Sequence, residues 1–198
     1  MMYLEPSEYL AFGLSADTPD AWIAAASQMM ESHCRRASLL VTTYTERLRV
    51  RRQSGTVQLN YGPVAGISAA KARYATVPRG DCSGLLGAAI AFSIPGQWVE
   101  IDASALRLDS ASGEVQVPMN LYGLLYSEFE VTYTAGLSAV PDALKVACAQ
   151  VVKNAQATPG LNVRSSRMDT LQTEYFSDSL LDSQVRSLLR PYVVERLG

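Results

Sequence analysis

Few side chains in this sequence could do acid–base, nucleophilic or metal chemistry, and their spacing keeps them apart. His33 is the single histidine among 198 residues, so a Ser–His–Asp or Cys–His site would have to use it. Cys34 is its neighbour, but consecutive helical residues point about 100° apart and do not face each other. Cys34, Cys82 and Cys148 are far apart and include no CxxC pair. A zinc knuckle or a disulfide framework therefore lacks its pattern, and reduced, mostly buried thiols are expected. Glu128/Glu130 and Asp178/Asp182 are the carboxylate pairs available for proton transfer. The first pair alternates with apolar residues and so lies on the polar face of a strand, as a solvated or inter-subunit face would. Neither GxxxxGK[ST] nor GxGxxG occurs, and Gly84-Leu-Leu-Gly87 is too apolar to cradle phosphate. The expectation is a non-enzymatic protein with no catalytic residue, no cofactor and no metal.

Two other stretches carry more information. Arg47, Arg49 and Arg51, with Arg52 beside them, form the one concentrated basic feature. They read either as a face toward a DNA channel or an acidic neighbouring subunit, or as a solvated strand edge kept from aggregating by charge. No aromatic residue interleaves with them, which disfavours a platform for stacking single-stranded bases. Trp98 is the one obvious aromatic candidate for ligand binding, and local packing accounts for it. Near the end, Tyr192, Val193, Val194 and Leu197 are costly to expose. They either pack on their own subunit or dock on a partner.

These residues must be positioned by a chain that is 48% apolar and only 18% charged, with a formal net charge of −2. That composition supports a folded core and leaves much weakly charged surface for neighbouring subunits. It argues against a dedicated nucleic-acid binder, though not against a pore through which DNA passes without sticking. The start, MMYLEPSEYL, has no basic segment followed by an apolar run, and no stretch approaches the ~20 apolar residues of a membrane span.

The hydrophobic pattern predicts an α+β fold. Helices are expected near 6–13, 19–36, 141–157 and 178–190. Gly13 closes the first. Asp17-Thr18-Pro19-Asp20 starts the second with a capping residue and a proline, and its inner stripe is Trp22, Ala25, Ala26, Met29 and His33, widened by Ile23 and Met30. Pro141-Asp142 starts the third, whose buried face is Leu144, Ala147, Cys148, Val151, Val152 and Ala155. Ser177 or Asp178 caps the fourth. Between the second and third helices, residues 44–134 read as a large antiparallel β-rich insertion. Strands 45–51 and 56–61 are expected to form a hairpin through Gln53-Ser54-Gly55, strand 64–74 follows, and 88–94 and 97–101 form a second hairpin. Strands 106–108 and 114–117 flank a turn-rich link, and 128–134 closes the region. The chain is read as a single domain over 1–198, with an extended arm at 158–177 and a C-terminal helix and docking tail at 178–198.

The phrase Val131-Thr-Tyr-Thr-Ala-Gly136, a short gap, Val140-Pro-Asp142 and then an alanine-rich helix resembles the head–tail connector (adaptor, head-completion) proteins of long-tailed bacteriophages. The early helix entering an Arg-rich strand, the β-rich insertion and the closing LLRPYVVERL extend the resemblance over most of the chain. It implies a ring of identical subunits, a dodecamer, beneath the portal in the virion neck. That ring would continue the DNA channel toward the tail, and its subunits would be made in the bacterial host cytoplasm. It implies as partners further copies of the chain, the portal protein and a stopper or tail-completion protein, with double-stranded DNA passing without sequence-specific binding and no membrane. Tyr192, Val193, Val194 and Leu197 would reach the portal, and Arg47, Arg49 and Arg51 would line the channel or a subunit contact. Another tail-completion or stopper-type virion protein is the alternative, and a small ligand-binding domain a more distant one.

Overall fold

The structure is a computed structural model. It describes residues 2–51, 53–74, 96–119, 125–157, 165–168, 171–174 and 180–194, with the backbone only at 165–168 and 171–174. In chain order the elements are α1 (Asp20–Cys34), β1 (Thr42–Arg49), β2 (Thr56–Gln58), β3 (Val64–Arg73), β4 (Val99–Ile101), β5 (Arg107–Asp109), β6 (Glu114–Gln116), β7 (Glu128–Ala135), α2 (Asp142–Ala157), β8 (Ser165–Met168), β9 (Leu171–Glu174) and α3 (Ser183–Leu189). The fold is α+β. The chain divides into a helical unit, Met1–Leu39 with Ser138–Val194, and a β unit, Leu40–Leu137.

In the helical unit, α2 packs against α1 and α3. Its buried face is Leu144, Ala147, Cys148, Ala149, Val151 and Val152, close to what its 3.6-residue period predicts. Pro141 precedes it, and the Pro141 carbonyl accepts the N–H groups of Leu144 and Lys145. On α1 the buried stripe is Ile23, Ala26, Ser27, Met30 and Cys34. It is rotated from the expected one, and Trp22 is 42% exposed. Apolar residues occupy more than one face of this helix, so period alone does not choose between them. Burial of Ser27 is made tolerable by its bonds: its hydroxyl donates to the Ile23 carbonyl (2.8 Å) and accepts the Tyr3 N–H (3.1 Å).

The helix ends also differ from expectation. Pro19 holds the N-cap position of α1 with no side-chain cap bond, so neither Asp17 nor Thr18 caps it. Arg35 ends the helix in the left-handed conformation (φ 56°). At α3 the cap is Asp182, whose carboxylate accepts the Val185 N–H at 2.7 Å. The proposed caps Ser177 and Asp178 lie outside the described residues. The first predicted helix is a single 3-10 turn, Pro6–Glu8, with Gly13 beyond it at φ 73°. Within the stretch read as an extended arm or strand, β8 and β9 form an antiparallel hairpin.

In the β unit one sheet has the order β1-β7-β3-β4 and the other β2-β6-β5, each antiparallel. The two share one apolar core, in which Phe129, Val131 and Tyr133 of β7 meet Ala70, Ala72, Val57, Val115 and Val117. Strands β1 and β2 do not form the expected hairpin: β1 pairs with β7 and β2 with β6. The Val50 N–H is taken by the Ser127 carbonyl, and the chain turns at Gly55 (φ 68°) into the other sheet. The expected link between 106–108 and 114–117 is a hairpin of β5 and β6, held by Asp109, which accepts from Ala111 N–H and the Ser112 hydroxyl. The expected strand 88–94 and the loop before it lie outside the described residues.

Candidate functional site

The period-two pattern of β7 turns Phe129, Val131, Tyr133 and Ala135 inward, and Glu128, Glu130, Thr132 and Thr134 outward. On the outer face the register assembles charges into rows. One row runs across all four strands as Arg47, Glu130, Lys71 and Glu100, and the next as Arg49, Glu128 and Arg73. The columns thus alternate in sign: basic on β1, acidic on β7, basic on β3, acidic on β4. Glu128 pairs with Arg47 and with Arg73 (2.9 Å), and Glu130 with Lys71 (2.7 Å). Such part-exposed pairs are worth about 0–1 kcal/mol each, so their main effect is to fix the side chains and cancel charge.

Trp98 lies among the same cations. Its ring centroid is 5.1 Å from the Arg47 guanidinium, 5.3 Å from Lys71 Nζ and 4.8 Å from the Arg73 guanidinium, within cation–π range. The expectation that no aromatic shares the face of the arginine ladder is therefore corrected. The aromatic comes from beside β4, a pairing that neighbouring sequence does not reveal. Of the ladder, Arg47 is engaged, whereas Arg49 and Arg51 are exposed.

Sequence reading missed Glu46. It has the same parity as Leu48 and Val50 and so projects inward. There its carboxylate accepts the Tyr133 hydroxyl (2.7 Å), the Asn60 N–H (3.1 Å) and the Asn60 side-chain amide (2.8 Å). The Tyr61 N–H donates to the Tyr133 hydroxyl (3.2 Å), and Tyr61 stacks on Tyr44 with ring centroids 3.9 Å apart. Burial and the Glu46 bond both raise the Tyr133 pKa, burial more. The cluster ties the turn after β2 to the centre of the larger sheet. Its parity in the alternating pattern was the available signal.

Gly136 makes the corner after β7. At φ 132° it occupies backbone space open to glycine. Its N–H donates to the Pro63 carbonyl (3.0 Å), and the Val41 N–H to the Leu137 carbonyl (3.1 Å).

The residues screened for chemistry are dispersed. Cys34 and Cys148 are buried free thiols; burial pushes Cys34 up to about 11 and raises Cys148. His33 is half-buried on α1. Glu128 and Glu130 hold cations, Asp182 caps α3, and Asp178 and Cys82 lie outside the described residues. Among the described residues no group of three His, Cys, Asp or Glu side chains could hold a metal ion, and no helix is long and apolar enough to cross a membrane. At the C-terminus Tyr192 and Val193 are half-buried. Val194 is only 2% exposed, with its N–H on the Cys34 carbonyl (3.1 Å), so it is committed to its own unit. Leu197 lies outside the described residues.

No known family profile and no curated protein matches the chain. Solved structures do match it. One is a chain in the neck of an empty gene transfer agent (GTA) particle computed with C6 symmetry, with a TM-score of 0.52 and 17% identity over 99% of this chain and 92% of the other. Another is a chain in the virion of a native GTA particle, with a TM-score of 0.51 and 19% identity over 99% and 92%. At these identities the likeness establishes a shared fold.

Proposed function

We propose that this chain is a structural, non-enzymatic protein of the neck of a phage-like particle, acting as the adaptor ring between portal and tail. The observation that carries the reading is fold likeness over nearly the whole chain to a protein in a GTA neck. The Val131–Gly136 and Val140–Asp142 phrases point to the same class independently of it. The ring is a dodecamer that continues the DNA channel, with the portal on one side and a stopper or tail-completion protein on the other. A ring repeats each contact many times, so modest interfaces add up through avidity.

The charge pattern refines the roles of the arginines. A surface that grips DNA needs a basic excess, whereas here the carboxylates of Glu100, Glu128 and Glu130 stand among Arg47, Arg49, Lys71 and Arg73 and leave little of one. This favours a subunit contact over phosphate binding for Arg47, Arg49 and Arg51. At the C-terminus, Val194 anchors the segment from which Tyr192, Val193 and Leu197 meet the portal.

Removing the chain from cells that produce the particle tests this. The expected result is DNA-filled heads and free tails, with joining restored by the chain supplied in trans. Particles that remain normally tailed refute the adaptor role. Heads joined to incomplete tails indicate a tail-completion protein instead.

A further inference from the structure

Among the described residues the four-stranded sheet has two different edges, β1 and β4, and they are complementary. At the β1 edge the outward basic column ends in Arg49, exposed and with no ion-pair partner among the described residues. At the β4 edge the outward acidic column ends in Glu100, also exposed and unpaired among the described residues, because Lys71 opposite it turns to Glu130. Beside Glu100 lies a groove of about 360 Å³ whose lining includes Ser68, Ala69, Lys71, Glu100, Ile101 and Glu130. Its alanine and isoleucine surfaces suit the aliphatic stem of an arginine, and its carboxylates suit the guanidinium.

We propose that the β4 edge of one copy seats against the β1 edge of the next, with Arg49 of the second copy entering the groove and pairing with Glu100 of the first. Two alternations continue across this junction. The columns read basic, acidic, basic, acidic, and the next copy begins with basic. The strands of the sheet alternate in direction over an even number, so β4 of one copy meets β1 of the next antiparallel. The same charges oppose the other pairings, since two β1 edges would bring arginines together and two β4 edges would bring glutamates together. Only the head-to-tail contact remains, and head-to-tail contacts are those that close into rings. The inference deepens the neck-ring reading and rests on it for the many copies held side by side.

The test uses the full chain with Arg49→Glu, Glu100→Arg and both together. Both positions are exposed, and thermal melting checks that each variant is folded. Self-association is followed by sedimentation at low salt. Each single exchange sets like charges together and weakens association by about tenfold or more. The double exchange restores it, and an equal mixture of the two single variants associates where neither does alone. Single variants that associate like the unmodified chain overturn the inference and leave the ring reading standing. If the isolated chain is monomeric, the same contact is read in particles carrying Arg49→Cys and Glu100→Cys together. Oxidation is expected to give covalent multimers that neither single variant gives. Particles that hold the chain in the neck without such multimers overturn this contact alone. Particles that lack the chain overturn the neck reading as well.

Discussion

Replacing Gly136 with alanine is expected to be among the most damaging single changes in the β unit. A Cβ there would lie 2.4 Å from the Leu40 carbonyl oxygen, 2.5 Å from its carbon and 2.8 Å from the Val41 nitrogen. These are backbone atoms, so no rotamer change relieves the clash. The φ of 132° adds about 1–3 kcal/mol of strain for a residue with a side chain. Relief by moving the segment would strain the Gly136–Pro63 and Val41–Leu137 bonds, each worth about 1 kcal/mol. The sum is about 3–5 kcal/mol, which for a chain of this size lowers the melting midpoint by about 6–20 °C. Gly66→Ala is the control, because nothing lies within 4 Å of its Cβ position; its midpoint should stay within about 2 °C of the unmodified chain. Melting followed by circular dichroism gives both numbers. A Gly136→Ala midpoint as close as that of the control would refute the steric argument.

Further outcomes follow from the same geometry. Tyr133→Phe removes the hydroxyl that joins Glu46 to the Tyr61 N–H, and urea unfolding should show a loss of about 1–3 kcal/mol; an unchanged midpoint would mean that the cluster does not hold the turn. Asp182 has its pKa lowered from the ordinary 3.8, first by the Val185 N–H and then by Asn154. Its stabilisation is therefore full above that value and is lost as pH falls through the lowered one. Asp182→Asn keeps a capping side chain but should flatten this part of the acid melting curve, and an unaltered curve would contradict the assignment. With Cys34 and Cys148 buried and their thiols held protonated, a thiol reagent should modify no more than one cysteine per native chain and three after unfolding.

The helices and the outward-inward alternation of β7 were legible because burial imposes a strict period on sequence. Leu144, Val151 and Val152 on α2, and Phe129, Val131 and Tyr133 on β7, need no partner to be recognised. Where partners decide, sequence was insufficient. The stripe on α1 depends on Tyr3 meeting Ser27, contacts made 24 residues apart. Strand β1 carries the residues of a hairpin limb, yet its partner is β7, because the chain leaves the sheet after Val50. The candidate surface shows the same limit. The arginines were visible as a ladder, but the pairing of Arg47 with Glu128, and its gathering with Lys71 and Arg73 around Trp98, come from a four-strand register that no local spacing encodes. Glu46 was readable from its parity alone, being a carboxylate on the inward set of β1.

Imaging can show whether the chain occupies the proposed place in the neck. Cryo-electron microscopy of tailed particles should resolve a closed ring of copies of this chain between portal and tail, with the segment around Tyr192 and Val193 against the portal. Density for the chain only along the tail, or particles complete at the neck without it, would contradict the claim.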